Sequence, residues 1–331
     1  MSKRVDKVKI RFAGFAAQWL ASISQGVKES TLAHYYYTLQ RYLLPVFGEM
    51  ELSALDEQRL EQGILQAVSP ADGCHRPLGA SSARECLTML RRICKYAAHL
   101  HLMRPVEIVV KLPQFERRQT VPLSEQEQAS LRDFVLEHPT ARKAGLLLQM
   151  QLGLRIGEVC GLQWGDFDLA AGTLTIRRTV SRIYCQGGHT KVVIQTPKTR
   201  TSGREIPIPQ ALLALLRKLR EDTSSEAWFL SGSTEKPVEP RCYRKSIQLY
   251  LRQASVRKIH PHALRHTFAT TCLQAGCDIK TLSELLGHAD PNITLRRYVH
   301  SNMNRKRREL ERVFAAVWAV RIPLTVNMAG T

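Results

Sequence analysis

Across 331 residues the chain carries 48 Lys plus Arg against 29 Asp plus Glu, a formal charge of +19, and 44% of it is hydrophobic. That length fits one large domain or two moderate ones with real cores, and that charge points to a polyanionic partner, usually nucleic acid, although a ribosome-associated or membrane-surface protein would share it. There is no apolar run long enough to span a bilayer and no secretory h-region after the basic stretch Met1 to Ile10, and none of the eight cysteines forms a Cys-x-x-Cys pair, which disfavours zinc knuckles and dithiol redox chemistry and fits a reducing cytoplasm.

The first hundred residues read as helices. Phe12, Phe15, Ala16, Trp19 and Leu20 recur at helical spacing and make one apolar face. Ser30 is placed to cap a second helix with Leu32, Tyr35, Tyr36, Leu39 and Leu43 as its buried stripe, and Pro45 and Gly48 are expected to end it. A third helix fits Glu57 to Ala67. After a Pro- and Gly-rich loop at Pro70 to Gly79, a fourth runs from about Ser82 to Leu102 and buries Cys86, Leu87, Leu90, Ile93, Cys94 and Ala97. Four such helices make a compact bundle. Pro105, Pro113 and Pro122 then bracket a stretch that reads as an extended linker. Ser124, three residues before Glu127, has the capping-box spacing of a helix start. Further on lies a β patch with Thr173, Leu174, Thr175, Ile176, Thr179, Val180 and Val192 to Ile194, a tight turn at Gly187-Gly188, and a further short strand from Arg204 to Ile208. The rest returns to helix.

Four local signals in the second part can carry chemistry. Gly153-Leu154-Arg155-Ile156-Gly157-Glu158 follows a helix built on Leu146 to Leu152. Pro197-Lys198-Thr199 lies inside the β patch. His262-Ala263-Leu264-Arg265-His266 follows Pro261, which suits a first helical position, with Gly276 after the helix end. That helix can bury Leu264, Phe268, Cys272 and Ala275 while presenting His262 and Arg265, three apart, side by side. Leu286-Gly287-His288 closes a helix capped by Asp278, with Gly287 in the left-handed position, and Tyr298 lies ten residues beyond His288. Each signal alone has an ordinary reading: Arg155 and Glu158 as a surface ion pair, Lys198 as a solvated turn, His288 as a helix-end cap, Tyr298 as a packing residue. His262 and His266, four apart, could suggest zinc, but Ala263 stands where the HExxH pattern has glutamate.

As a set, the Gly-Leu-Arg-x-x-Glu box, a lysine on the following β-hairpin, His-x-x-Arg, Leu-Gly-His and a tyrosine just beyond resemble the tyrosine recombinase, or phage integrase, family in order, context and spacing. The resemblance covers about Leu123 to His300 well and the helical first part more loosely. It implies a mainly α fold with a small antiparallel β-sheet: an N-terminal helical core-binding (SAM-like) domain over 1–104, a linker over 105–122, a catalytic domain over 123–320 and a tail over 321–331. It implies a catalytic set of Arg155, Lys198, His262, Arg265, His288 and Tyr298, with Glu158 supporting the first arginine. Lys191 and Arg200 lie close to Lys198, and the gap from His288 to Tyr298 is one residue longer than in the simplest members.

The implied reaction suits these side chains. Two guanidinium forks can hold the non-bridging oxygens of a phosphodiester, His288 can add a donor, and cationic neighbours favour the Tyr298 phenolate, with His262 as proton acceptor. Lys198 can protonate the leaving 5′ oxygen. No cofactor or metal is implied. The implied partners are double-stranded DNA, a homotetramer on paired recombination sites and an accessory excision factor, and the implied setting is the nucleoid of a prokaryotic cytoplasm. Few residues precede Phe12, so a two-domain recombinase without a separate arm-site-binding domain is expected. The long hairpin around Tyr184 to Thr190 favours the integrase of a mobile element or phage; the alternatives are an Xer-like resolvase of chromosome or plasmid dimers, a type IB topoisomerase, a DNA-binding regulator that has lost catalysis, and a basic structural protein. Beyond Tyr298, Leu310, Val313, Phe314, Val317 and Trp318 form a further apolar stripe. It can fold back on its own domain or, as the resemblance implies, dock on a neighbouring protomer.

Overall fold

A computed structural model describes residues 9–69, 77–112, 120–196, 203–220 and 223–288, with 290, 292, 307, 310 and 311. The described residues gather around two large apolar cores and one small one.

The first core is helical. Helix α1 (Phe12–Ile23) turns Phe12, Phe15, Ala16 and Trp19 inward, while Leu20 is only half-buried. Helix α2 (Glu29–Thr38) starts two residues earlier than Ser30 would set it: Lys28 holds the cap position without a side-chain capping bond, and the Glu29 carboxylate sits in the first turn, where the helix dipole favours negative charge. Gly48 ends this helical run as expected, but Pro45 does not. The chain passes through a π turn, Leu39–Leu43, with Leu44 N–H donating to the Leu39 carbonyl, and continues as α3 (Leu44–Phe47). Proline lacks an N–H and its ring crowds the carbonyl four residues back; the wider turn absorbs both faults without breaking the helix. Helix α4 (Glu57–Val68) is capped by Asp56, which accepts from Arg59 N–H at 2.8 Å. Helix α5 (Ala80–His99) buries all six of the residues its periodicity selects. Past α5 the chain stays on this bundle at least as far as Ile108, which is buried in the same core and whose carbonyl accepts from Arg91 Nη2 at 2.5 Å.

The second core begins at Leu123. Helix α6 (Glu125–Glu137) opens on a complete capping box, Ser124 Oγ accepting from Glu127 N–H at 3.2 Å and Glu127 Oε2 from Ser124 N–H at 2.8 Å. Helix α7 (Ala141–Gln151) runs through the centre, buried from Ala144 to Met150, and leads into the short α8 (Ile156–Cys160). The β patch resolves into two sheets. Strands β1 (Phe167–Asp168), β2 (Thr173–Thr175) and β5 (Glu205–Pro207) pair antiparallel in the order β1-β2-β5; β3 (Thr179–Tyr184) and β4 (Thr190–Gln195) form a separate hairpin. Gly187 and Gly188 turn that hairpin with φ of +84° and +79°, conformations that glycine adopts at no steric cost. Helices α9 (Gln210–Arg220), α10 (Pro240–Gln253), α11 (His262–Gln274) and α12 (Ile279–Leu286) complete the described elements, and the last two share the small core of Phe268, Ala269, Leu273, Leu282 and Leu286. No helix among the described residues is long and apolar enough to cross a membrane.

The hairpin reaches across to the first bundle. Tyr184 stacks on Tyr36 (centroids 6.0 Å apart) and meets Tyr37 edge-on (5.3 Å), Lys191 pairs with Glu29 at 2.6 Å, and Lys28 Nζ donates to the Thr196 carbonyl at 2.9 Å. Leu32 and Tyr36, expected in the first core, therefore face the hairpin instead, lining a cavity of about 460 Å³ with Leu20 and Ile183.

Candidate active site

Four separate stretches of backbone converge on one buried carboxylate. The first is the turn from α7 into α8. Gly153 there has φ +67°, and a Cβ on it would lie 2.4 Å from Phe268 Cδ1 and 3.0 Å from Leu286 Cδ2. Only glycine gives both the left-handed turn and this close approach to α11 and α12. Two residues on, Arg155 occupies the cap position of α8. Its backbone N–H donates to Glu158 Oε2 at 2.8 Å and its Nη1 to Glu158 Oε1 at 2.6 Å. The pair, ordinary as a helix ion pair and expected from the resemblance to let Glu158 support the first arginine, lies half inside: Glu158 is 4% exposed, while the Arg155 side chain keeps 38% of its surface.

The second stretch is the start of β5. Arg204, 8% exposed, places Nη1 on Glu158 Oε1 and Nη2 on Glu158 Oε2, both at 3.1 Å, and Nε on the Leu285 carbonyl at 2.7 Å. Sequence reasoning did not single out this residue. A signal was present: strand alternation puts Arg204 on the inner face with Ile206 and Ile208, and a charge on an inner face needs a partner.

The third stretch is α11. The helical pattern was expected to present Arg265 beside His262 on a polar face. Arg265 is instead 1% exposed, with Nη1 donating to the Gly153 carbonyl at 2.8 Å and Nη2 to the Leu286 carbonyl at 2.7 Å, and with Nη1 4.0 Å from Glu158 Oε2. His262 stands one turn earlier, half-buried at the start of the helix, its N–H donating to His260 Nδ1 at 3.3 Å.

The fourth is the end of α12. Asp278 caps the helix start through Thr281 N–H at 2.9 Å. At its other end Gly287 (φ +61°) donates to the Glu284 carbonyl at 2.9 Å and His288 N–H to the Ser283 carbonyl at 3.0 Å, the paired bonds of a Schellman cap. The cap sets His288 Nε2 3.0 Å from Arg265 Nη2. A guanidinium nitrogen only donates, so in this contact His288 Nε2 is the acceptor.

The structure thus brings Arg155, Arg265 and His288 together around Glu158, and starts the helix of Arg265 with His262. Lys198 and Tyr298 lie outside the described residues. Lys191, near Lys198 in sequence, is engaged with Glu29.

Burial alone would push the Glu158 carboxyl up. The guanidinium of Arg204, by charge and hydrogen bonds, and then those of Arg155 and Arg265 outweigh it and hold the group at about 2. Three guanidinium groups around one carboxylate leave two positive charges over within this cluster. Such a site attracts an anion with two or more acceptor oxygens.

Comparison with known proteins points the same way. Residues 121–305 match the phage integrase family and residues 11–64 its N-terminal SAM-like domain. A XerC-like tyrosine recombinase of Caldanaerobacter subterraneus subsp. tengcongensis is 31% identical over 48% of this chain and 45% of its own length. Tyrosine recombinase XerC of Xanthomonas axonopodis pv. citri is 26% identical over 71% and 77%, and XerA of Pyrococcus furiosus 34% over 52% and 54%. The chain therefore spans about half the length of two of these three relatives. Among solved structures, the Tn1549 transposon integrase in complex with circular intermediate DNA has a similar fold, with a TM-score of 0.73 at 20% identity over 92% of this chain and all of that one. A lambda integrase dimer bound to a COC′ core site gives 0.63 at 15%, over 89% and 100%.

Because the Glu158 carboxyl is held below its ordinary value of 4.5, the stability it contributes is fully present above that value and is lost as pH falls towards about 2. Glu158→Gln should be less stable than the parent by a few kcal/mol near neutral pH, where it strands Arg204 without its anion, and the difference should narrow below about pH 4. Urea midpoints of both proteins from neutral to acid pH check this; a gap that stays constant would refute it.

Proposed function

The chain belongs to the phage integrase family, and from that premise we propose that it is a metal-independent, site-specific DNA recombinase that cuts and rejoins strands through a 3′-phosphotyrosine. The observation that carries the reading is the convergence of Arg155, Arg265 and His288 on one cluster with two positive charges in excess. A scissile phosphate carries one charge in the ground state and gathers more on its non-bridging oxygens in the pentavalent transition state, so a preset cationic cluster favours the transition state over the ground state.

In the proposed cycle the Tyr298 oxygen attacks phosphorus, the bond from phosphorus to the 5′ oxygen breaks, and Lys198 delivers a proton to the departing 5′ oxygen, which leaves as a hydroxyl. His262 takes the phenolic proton. The phosphotyrosine conserves the energy of the bond, and the 5′ hydroxyl of another strand reverses the step. Double-stranded DNA is the substrate and the cytoplasm the setting; the net charge of +19 supplies sequence-independent phosphate affinity that weakens with salt. Strand exchange between two duplexes uses four active sites, hence a homotetramer on paired sites, with an accessory factor biasing the direction towards excision. We assign the enzyme the movement of a mobile element, on the length of its β3–β4 hairpin.

Tyr298→Phe should bind a nicked suicide duplex as the parent does and form no covalent adduct. Arg155→Lys and Arg265→Lys, which keep charge but lose the planar fork, should cleave slower by about two orders of magnitude or more. Normal strand exchange by any of the three, read on denaturing gels, would sink the assignment. With a DNA whose leaving oxygen is replaced by sulfur, which needs little protonation, Lys198→Ala should recover most of its cleavage; rescue of Lys191→Ala instead would name the other lysine. The apolar stripe from Leu310 to Trp318 lies outside the described residues except at Leu310 and Glu311, and we assign it to docking on a neighbouring protomer. Deletion from Leu310 onward should spare binding to a single site and abolish pairing of two sites; truncated tetramers on paired sites in native gels would refute that.

A further inference from the structure

We propose that Arg204 is a positioning residue for the phosphate clamp, holding Arg155 and His288 in register through Glu158 and the end of α12. The inference rests on the recombinase reading and adds to it a residue outside the six assigned to the chemistry.

The geometry of the shared carboxylate carries the argument. Each oxygen of Glu158 accepts one bond from Arg204 and one from Arg155: Oε1 takes Arg204 Nη1 and Arg155 Nη1, and Oε2 takes Arg204 Nη2 and the Arg155 backbone N–H. Arg204 is nearly buried and Arg155 is not. Glu158 therefore works as a hinge plate: its inner face is fixed by a rigid, planar fork from β5, and its outer face holds the exposed guanidinium that would meet DNA. Without the inner fork the carboxylate could turn towards either remaining arginine, and Arg155 would lose the direction of its own fork.

The Nε of Arg204 points elsewhere. Its Nε bonds the Leu285 carbonyl, and the very next carbonyl, Leu286, accepts from Arg265. Two buried guanidiniums thus grip consecutive carbonyls of the last turn of α12, immediately before the cap that presents His288. A lysine at 204 keeps the charge but has a single nitrogen, and cannot span both carboxylate oxygens in one plane while also reaching Leu285.

An ordinary buried ion pair would raise stability and leave the chemistry of the folded enzyme unchanged, so the test separates the two. Single-turnover cleavage of a nicked suicide duplex is measured for the parent, Arg204→Lys, Arg204→Gln, Glu158→Gln and the double variant Arg204→Gln/Glu158→Gln, with melting temperature recorded for each. At saturating DNA we expect Arg204→Lys to cleave about 10- to 100-fold slower while its half-saturating DNA concentration stays within about threefold of the parent. The double variant should be no slower than its slower single parent, because both residues act through one contact. Should Arg204→Gln fail to fold, Arg204→Lys and the double variant, in which neither member of the Arg204–Glu158 pair is left facing a missing partner, carry the comparison. Parent-like cleavage by Arg204→Lys, a loss confined to DNA affinity, or losses that multiply in the double variant would each overturn the inference. A parent protein that never becomes joined to DNA would overturn the recombinase reading itself.

Discussion

One carboxylate, buried and shared by three guanidinium groups, is the constraint on which the second half of this molecule is organised. Taking Glu158 out of water is unfavourable by several kcal/mol, and its removal would leave Arg204 and Arg265 buried with no anion beside them. Such an arrangement is a poor way to gain stability, since well-packed apolar side chains do as well. It is a good way to keep cations ready inside a fold. The carboxylate neutralises one charge of three, enough to make burial tolerable and too little to quench the site.

The surrounding elements follow from that requirement. The left-handed turn at Gly153 lets α7 end against Phe268 and Leu286, so that its carbonyl reaches Arg265. The cap at Gly287 stops α12 where its last carbonyls face the two buried arginines. The small apolar core shared by α11 and α12 holds these two helix ends at a constant spacing. Hydrogen-bonded backbone carbonyls, which carry partial negative charge at a helix end, thereby do part of the work that further carboxylates would otherwise do.

Much of this was legible in the sequence, and the exceptions share a cause. Local chemistry announced itself: the capping box at Ser124, the glycine after α12, the apolar stripes of α1 and α5, and the grouping of Arg155 with Glu158. What failed depended on partners distant in the chain. Pro45 reads as a helix stop because only the packing of Leu43 and Phe47 in the first core shows that continuing the helix through a π turn is worthwhile. Leu32 and Tyr36 read as core because the hairpin that covers them lies some 150 residues later. Arg265 reads as a surface residue on a helix wheel, since its acceptors are carbonyls contributed by two other segments. Arg204 drew no attention in a basic chain, where one more arginine is unremarked unless strand alternation is applied to charges as strictly as to apolar side chains.

The contact between the hairpin and α2 has a consequence of a different kind. It joins two bodies already linked by the backbone, so it closes as an intramolecular association, which weaker contacts can sustain than an encounter of two free proteins needs. An exposed ion pair, a lysine-to-carbonyl bond and a tyrosine pair are each weak on their own, and they act here between parts of one chain. The ionic part is screened by salt and the tyrosine part is not. The strength of this contact is therefore adjustable by single substitutions at Glu29, Tyr36 or Tyr184, without touching the residues that surround Glu158.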